Sequence, residues 1–185
     1  MRHRSTAELR AGLDEVRRSP ADHGVVRLIV SRPAVDERET PTVATLDVIE
    51  GLIGDTWRAR GSSRTPDGSA NPEAQITVMN SRAAALVAVD DDRWKLAGDQ
   101  IYADLDLSRA NLPAGSRLRL GTAVIEISAK AHTGCVKFTG RFGLDALRFV
   151  NSEVGSALRL RGLNARVVTG GVVRVGDVIC KEPEP

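Results

Sequence analysis

Residues 117–127 read RLRLGTAVIEI, two short runs rich in aliphatic residues that flank Gly121 and Thr122. In the first run leucine alternates with arginine, and this period of two is typical of a strand with one buried face. The second run is rich in branched residues, which fit a pleated, half-buried surface. Glycine favours a tight turn between the two runs. We therefore predict a hairpin of two strands, 117–120 and 123–128.

Short runs of the same kind recur along the chain, separated by segments that contain Gly and Pro. They predict further strands at 25–30, 42–49, 75–79, 101–105, 165–168, 172–175 and 178–180. Many short strands with only a few short helices favour a closed or nearly closed β-barrel. The predicted fold class is therefore mainly β.

Helical patterns occur in three places. Ser5 and Glu8 have the spacing of a capping box, apolar residues follow at helical spacing, and Pro20 marks the end of that helix. Further helices are predicted over 81–89 and 142–150. We expect the first helix to lie as an amphipathic element against the body of the protein.

The chain of 185 residues is long enough for one domain with a proper core. No internal repeat or linker divides it. We expect an N-terminal helical extension (1–24), a single barrel domain (25–180) and a frayed polar tail (181–185). The balance of 26 basic and 24 acidic side chains gives a net charge of +2, which is too small to argue for a nucleic-acid or membrane partner.

Cys135 and Cys180 are the two cysteines, too few for a disulfide scaffold and without the CxxC spacing of a zinc site. The charged N-terminus lacks the apolar stretch of a signal peptide. No segment approaches the roughly 20 apolar residues of a membrane span. We therefore expect a reduced, cytoplasmic protein. Cys180 alternates with apolar residues in the last predicted strand and is predicted to belong to the core.

Residues 132–143 read HTGCVKFTGRFG and place Cys135 between a histidine and two cations. A thiolate, rather than a thiol, is the nucleophile and soft-metal ligand, and nearby positive charge lowers the pKa of a thiol. Lys137 and Arg141 would supply that charge, and His132 would supply a proton or a hydrogen bond. The alternative stays open that Cys135 is a small buried apolar residue, which is common for free cysteine.

Residues 56–73 form a long segment rich in Gly, Ser, Pro and Asn. A loop of this length inside a compact domain is usually functional or mobile. It carries Arg58, Arg60 and Arg64, which would meet an anion, although a solvated loop is favoured for at least two of the three. The acidic run 90–92 lacks the spacing of a calcium loop and is predicted to be an exposed turn.

The order of four motifs resembles the MOSC domain, a family named for the C-terminal domain of molybdenum cofactor sulfurases. The motifs are GLIGD at 51–55, LPAGSRLRLG at 112–121 followed by AVIEI at 123–127, GCVK at 134–137, and closing segments at 162–165, 170–171 and 175–179. The match covers roughly residues 25–180. The chain departs from the family pattern at 56–57, where many relatives have a basic residue, at Gly134, where many have proline, and at 98–100.

The resemblance implies a β-rich barrel similar to the barrel domain of pyruvate kinase, in a stand-alone member of the bacterial type. Family members bind molybdenum cofactor (molybdopterin) or carry sulfur on the cysteine. In the amidoxime-reducing relatives the cysteine ligates molybdenum, and N-hydroxylated bases are reduced. By this resemblance Cys135 would be the molybdenum ligand or the persulfide carrier, and His132 would orient or protonate beside it.

The same resemblance implies a set of cofactor-binding residues. The phosphate of the pterin would need cations or backbone N–H donors. The candidates, in this order, are Lys137, Arg141 and the loop arginines Arg58, Arg60 and Arg64, with Asp55 of the GLIGD motif counted among them.

Three functions stay open at this stage, and the sequence leaves open whether the protein is an enzyme. The first is a molybdenum-cofactor-dependent oxidoreductase that reduces N-hydroxylated or related small molecules with electrons from a donor protein. The second is a sulfur (persulfide) carrier between partner proteins, or a small-ligand binding module without turnover. The third is a barrel with a structural cysteine, used for protein interaction. Pyridoxal phosphate is attached to the family name, but no lysine site for it is expected here.

Overall fold

Within residues 2–63 and 65–183, which the computed structural model describes, seven strands close into a barrel. In the order in which they hydrogen-bond around it, they are β1 (Gly24–Ile29), β10 (Val178–Lys181), β6 (Arg117–Leu120), β7 (Ala123–Ile127), β8 (Leu163–Thr169), β4 (Ile76–Asn80) and β5 (Ile101–Asp104). Strands β4 and β5 are parallel, and the other neighbouring pairs are antiparallel. The predicted mainly β, closed-barrel fold class is confirmed.

The hairpin predicted from residues 117–127 is present as β6 and β7. Leu120 pairs with Ala123 at the turn, and Leu118 pairs with Ile125 further along. These four side chains are buried in the barrel interior. The alternation of leucine and arginine in β6 thus places the leucines inside the barrel.

A smaller sheet lies beside the barrel and contains, in order, β3 (Gly51–Leu52), β2 (Val43–Asp47) and β9 (Gly171–Arg174). The predicted strands 42–49 and 172–175 therefore exist, but they belong to this sheet rather than to the barrel. The physical reason is a change of partner: β8 pairs with β7 as far as Thr169, and the chain after Gly170 pairs with β2.

The helices are α1 (Thr6–Ala11), α2 (Leu13–Arg17), α3 (Trp57–Arg60), α4 (Ser81–Ala88), α5 (Val136–Phe142), α6 (Leu144–Val150) and α7 (Glu153–Ala157), with 3-10 helices at Pro72–Ala74 and Asp91–Ala97. The helix α4 and the second 3-10 helix connect β4 to β5, because parallel neighbours need a crossover connection. The acidic run 90–92 is exposed, as predicted, and leads into that 3-10 helix.

Two helix predictions need correction. The capping box of Ser5 and Glu8 is present, but the first helix is divided at Gly12 into α1 and α2. The helix predicted from residue 142 begins only after Gly143, whose φ of +89° is in the left-handed region that glycine tolerates. The helix α5 before it was not predicted, because its short sequence contains Thr139 and Gly140 and forms mainly by tertiary packing.

Apolar side chains form two clusters. One fills the barrel interior and the space under the small sheet. The other lies between the outside of the barrel and the helices, and it includes Leu9 and Leu13 of the N-terminal helices with Phe138 and Phe142 of α5. Because the N-terminal helices pack into this second cluster, they cover the same face of the barrel as α5. Cys180 is 8% exposed in β10, as predicted for a core residue.

Among the described residues, none of the helices combines the length and the apolar character needed to cross a membrane. The division into an extension (1–24), a barrel domain (25–180) and a tail stays a prediction.

A substitution pair tests the close approach of β9 to the barrel hairpin. A Cβ on Gly171 would lie 2.5 Å from the carbonyl carbon of Thr122 and 2.6 Å from the amide nitrogen of Ala123. Gly171→Ala is therefore expected to destabilise the fold by about 1–3 kcal/mol, because backbone atoms have to move. Gly140→Ala is the control, since its Cβ would meet nothing within 4 Å, and it should stabilise α5 by about 0.5–1 kcal/mol. Urea unfolding measures both, and equal stabilities would contradict the described approach.

Candidate functional site

Cys135 lies at the start of α5, where the chain changes from an extended segment to a helix. Its backbone is extended, with φ of −128° and ψ of −179°, and its thiol is exposed. The carbonyl oxygen of Cys135 accepts a hydrogen bond of 3.0 Å from the amide of Thr139, the first bond of the helix. The open alternative of a buried apolar cysteine is therefore excluded for Cys135.

The residue before the cysteine is fixed by the end of α6. The amide of Gly134 donates to Oδ1 of Asn151 at 2.9 Å, and Nδ2 of Asn151 donates to the carbonyl oxygen of Gly134 at 3.3 Å. A Cβ at position 134 would lie 2.7 Å from Cδ1 of Leu147. Glycine at this position, one of the departures from the family pattern, thus permits close contact with α6.

The start of the segment 132–135, which we call the cysteine segment, is fixed by a buried carboxylate. The side chain of Asp99 is fully buried, and it contacts Nε2 of His132 at 2.9 Å and Nη1 of Arg161. Arg161 also donates to the carbonyl oxygen of Ala97 at 2.8 Å, and its guanidinium lies 5.2 Å from the ring centre of Phe138 in α5. Asp99 and Arg161 therefore connect the cysteine segment, the 3-10 helix and α5.

Burial and nearby charges together set the pKa values of His132 and Asp99. The pKa of Asp99 is lowered to about 2 because the charges of Arg161 and His132 outweigh the effect of its burial. The pKa of His132 is lowered, first by burial and then by the charge of Arg161. The carboxylate only accepts hydrogen bonds, so a neutral His132 carries its proton on Nε2 and has an accepting Nδ1.

A second buried ion pair lies near the first. Arg32 donates from Nε and Nη2 to the two carboxylate oxygens of Asp55 at 2.6 and 2.9 Å, and from Nη1 to the carbonyl oxygen of Gly98 at 2.8 Å. The side chain of Asp55 is fully buried. This predicted site residue is thus engaged in orienting Arg32, with both of its carboxylate oxygens bonded.

Arg32 and three further arginines, Arg38, Arg60 and Arg141, form a group that we call the arginine cluster. The pKa of Arg38 is lowered by burial and by the charges of Arg141 and Arg32. The pKa of Arg60 is lowered by partial burial and by the charge of Arg32. The charge of Arg32 thus acts on both Arg38 and Arg60, and the charge of Arg141 acts on Arg38. Nε of Arg38 is buried and has no hydrogen-bond partner.

The two cations predicted to activate the thiol are instead directed to a carboxylate. Nζ of Lys137 lies 3.8 Å and Nη2 of Arg141 lies 3.3 Å from Oδ1 of Asp36. Arg141 also donates to the carbonyl oxygen of Leu96 at 2.7 Å. The structure thus brings these two candidates together on α5, but their described bonds go to partners other than Cys135.

The loop arginines have separate positions. Arg60 belongs to the arginine cluster. Arg58 is exposed and pairs with Glu50, away from the cluster. Arg64 lies outside the described residues.

Sequence reasoning missed four of the residues that build this site: Arg32, Arg38, Asp99 and Arg161. Asp99 lies in the segment 98–100, which departs from the family pattern, and Arg161 directly precedes the closing motif. Their positions next to family motifs were the signal in the sequence that could have marked them as site residues. Their role depends on contacts between residues up to 66 positions apart, which no local pattern reveals. Among the described residues, no group of three or more His, Cys, Asp or Glu side chains is placed to hold a metal ion.

The fold and the site define a β-barrel protein with an exposed cysteine on a fixed segment and with a cluster of arginines. The sequence profile of the MOSC domain matches residues 66–180, more than half of the chain, and the protein belongs to this family. The resemblance inferred from the motifs is confirmed. No curated protein sequence matches the chain.

Solved structures share the fold. The YuaD protein from Bacillus subtilis is 15% identical, with a TM-score of 0.63 over 87% of this chain and 97% of that one. YiiM from Escherichia coli is 16% identical, with a TM-score of 0.55 over 87% of this chain and 71% of that one. A hypothetical protein is 18% identical, with a TM-score of 0.59 over 88% of this chain and 69% of that one. At these identities the likeness concerns the fold alone.

The partly buried His132 predicts a pH dependence of stability. Burial lowers the pKa of His132 below its ordinary value of 6.5. Just below pH 6.5 the unfolded chain therefore binds a proton at this residue more readily than the folded chain does. The stability contributed by neutral His132 is present above pH 6.5 and is lost as the pH falls below that value. The slope has an upper limit of about 1.4 kcal/mol per pH unit. Urea unfolding between pH 7.5 and about 5 measures it.

His132→Asn is expected to reduce that slope. The control is His23→Asn, because His23 is exposed, and its φ of +53° suits asparagine. If His132→Asn has the same slope of stability against pH as the wild type, the pH dependence does not come from protonation of His132.

The two thiols are expected to differ in reactivity. Cys135 is exposed and Cys180 is buried, so Cys135 should react faster with iodoacetamide at neutral pH. Nη2 of Arg119 lies 3.6 Å from Sγ of Cys180, so a nearby cation is present at the slower thiol. Mass spectrometry of the labelled peptides measures the two rates. Equal rates would show that access to solvent does not govern them.

Proposed function

We propose that the protein binds molybdenum cofactor (molybdopterin) through Cys135 and supports the reduction of N-hydroxylated or related small molecules. The observation that carries this proposal is the exposed thiol of Cys135 on a fixed backbone segment, at the start of the helix that also carries Arg141 of the arginine cluster. Membership of the MOSC domain family supports the cofactor at the level of the family.

The thiol suits a soft metal centre. Thiolate ligands favour soft metals, and a ligand on a fixed segment loses little conformational freedom on binding. Three contacts hold the segment: His132 with Asp99, Gly134 with Asn151, and the carbonyl of Cys135 with α5. The thiol itself projects from this frame at the surface. Cys135 is thus proposed to be the single protein ligand of the metal.

The arginine cluster fits the phosphate of the cofactor. Arg38 has a buried Nε donor without a partner, and the neighbouring charges of Arg32, Arg60 and Arg141 exceed those of the nearby carboxylates, Asp36 and Asp55. Guanidinium groups bind phosphate oxygens in a bidentate manner. Arg141 lies six residues after Cys135, about 9 Å along the axis of α5, so one helix links the proposed ligand to the cluster. Lys137 on the same helix adds a further exposed cation.

When bound, the cofactor supplies two-electron redox chemistry, and a donor protein returns the electrons. The residues of the chain bind the cofactor and orient the groups near it. Neutral His132 has its Nε2 proton engaged by Asp99, so its Nδ1 is the atom that accepts a hydrogen bond or a proton from a group near the cysteine. His132 is therefore assigned to holding and passing a proton, and Asp99 to fixing its ring.

The exposure of Cys135 also favours the second function, a sulfur carrier. Val136 beside it is 87% exposed, so the thiol is accessible to a partner protein as well as to a small molecule. In the transfer, the thiolate of Cys135 attacks the outer sulfur of a donor persulfide. The sulfur–sulfur bond of the donor breaks, a new one forms on Cys135, and the donor leaves as a thiolate. No net oxidation occurs.

Molybdenum and pterin content test the cofactor proposal. Protein purified from a molybdenum-replete host should contain both, measured by elemental mass spectrometry and by the fluorescence of the oxidised pterin. Cys135→Ser should lose the molybdenum because the thiolate ligand is gone. Arg38→Gln should reduce the pterin by about tenfold, the effect of one charge-assisted hydrogen bond. Cys180→Ser is the matched control and should retain both.

The absence of molybdenum and pterin from the wild-type protein would overturn the cofactor proposal. In that case, intact-mass measurement after incubation with a cysteine desulfurase and cysteine decides the second function. An added sulfur atom on the wild type but not on Cys135→Ser supports the carrier, and no added sulfur on either protein rejects it.

A further inference from the structure

A second group of cations lines a cleft next to the cysteine segment. The cleft has a volume of about 80 Å³, and its wall includes Arg109, Lys130, Arg159 and Arg161. We call it the cationic cleft. None of its described lining residues is Asp or Glu. It shares no residue with the arginine cluster.

Three of these four charges are not neutralised within the described part of the chain. Arg161 pairs with Asp99, whereas no ion pair to a carboxylate is described for Arg109, Lys130 or Arg159. The pKa of Arg159 is lowered by burial and then by the charge of Arg109, so these two like charges lie close to each other. Like charges held together in a partly buried place are stabilised by an anion.

Arg161 contributes an unsatisfied donor. This residue is 6% exposed, and its Nε is buried without a hydrogen-bond partner, although its other nitrogens bind Asp99 and Ala97. A buried donor without an acceptor is unfavourable for the folded protein. Since Arg161 lines the cleft, an anion bound there would lie next to a guanidinium group whose Nε has no described protein acceptor.

Arg159 is held in place before any ligand arrives. Its Nη1 donates to the carbonyl oxygens of Leu107 and Leu112 at 3.2 and 2.6 Å. Its φ of +48° lies in the left-handed region, which is unfavourable for a residue with a side chain. Strain of this kind persists where the surrounding structure fixes it, and it is concentrated at binding sites.

We propose that the cationic cleft is a binding site for a small oxyanion of the phosphate class. Two or more guanidinium groups and an ammonium group suit such an anion. The volume corresponds to roughly two to three waters at about 30 Å³ each, the size of a small ion or of one phosphate group. The ligand is either the free ion or the phosphate group of an organic molecule that extends out of the cleft.

The position of the cleft links this anion to the cysteine. His132 and Thr133 line it, and so does Asn151, whose amide group holds Gly134. An anion bound here lies against the segment that presents Cys135, on residues separate from those proposed for the cofactor. The inference does not depend on the cofactor, and it adds a second ligand site to the protein.

Calorimetric titration of the cofactor-free protein with inorganic phosphate at constant ionic strength tests this site. The wild type should bind with saturation. Arg109→Gln with Lys130→Gln should weaken the affinity at least about tenfold, because two charge-assisted contacts are removed. Arg109 is exposed, so the change is compatible with folding. Arg10→Gln, an exposed arginine on α1, is the control and should bind like the wild type.

A third variant separates the two cation groups. If phosphate binding is retained in Arg109→Gln/Lys130→Gln but lost in Arg38→Gln, the ion binds at the arginine cluster and the cleft proposal is wrong. The absence of saturable binding to the wild type also overturns it. In the nitrogen-15 spectrum, the side-chain Nε–H signal of Arg161 should shift with phosphate, and a signal that does not move would contradict the proposed acceptor.

A parallel titration with glycerol 2-phosphate distinguishes the two sources of the anion. Tighter binding of inorganic phosphate indicates that the free ion is the ligand. Equal or tighter binding of the ester indicates a phosphate group on a larger molecule. Loss of either affinity in Arg109→Gln/Lys130→Gln supports the site, and equal affinity of that variant and the wild type rejects it.

Discussion

The buried carboxylate of Asp99 is the group on which the geometry of the cysteine segment depends. Its side chain has no exposed surface, and burying a charge without a partner costs several kcal/mol. Arg161 and His132 provide the compensating bonds from two other parts of the chain. The pair fixes the start of the segment, while Asn151 fixes Gly134 just before the thiol. Removal of the His132–Asp99 contact or of the Gly134–Asn151 hydrogen bonds would increase the mobility of the segment that carries Cys135.

The same carboxylates divide the cations of the protein into two functional kinds. Asp99 and Asp55 each form a buried ion pair with one arginine, and these two arginines, Arg161 and Arg32, become parts of the frame. The cations around them lack such buried partners. They form one group on the side of α5 and another in the cleft beside the segment 129–133. The protein thus presents two groups of cations without buried carboxylate partners, one that includes Arg141 of α5 and one beside the segment that leads to Cys135.

The helix α5 shows how packing creates a functional position. It is only seven residues long and has no side-chain cap, so its stability comes from burying Phe138 and Phe142 against the barrel and the N-terminal helices. Phe138 also lies below the guanidinium of Arg161. The N-terminal helices therefore support, through this shared apolar cluster, the element whose first turn presents Cys135.

The sequence alone determined the hairpin of β6 and β7, because alternation along 117–127 and the turn at Gly121 specify it by local geometry, and the series of short strands indicated the barrel class. It also determined the family and the cysteine, because the order of the glycine motifs around position 135 is a property of the linear chain.

Only the tertiary structure decided which cations face which groups. Lys137 and Arg141 are close to Cys135 in sequence, yet they contact Asp36, more than a hundred positions away. Asp99 and Arg161 are far apart in sequence, yet they share a buried bond. Charged side chains pair by distance in space and by burial, which depend on how the closed barrel brings its connections together. The periodicity of the sequence does not reveal the distances between charged side chains in the folded protein, and these distances determine which charges interact.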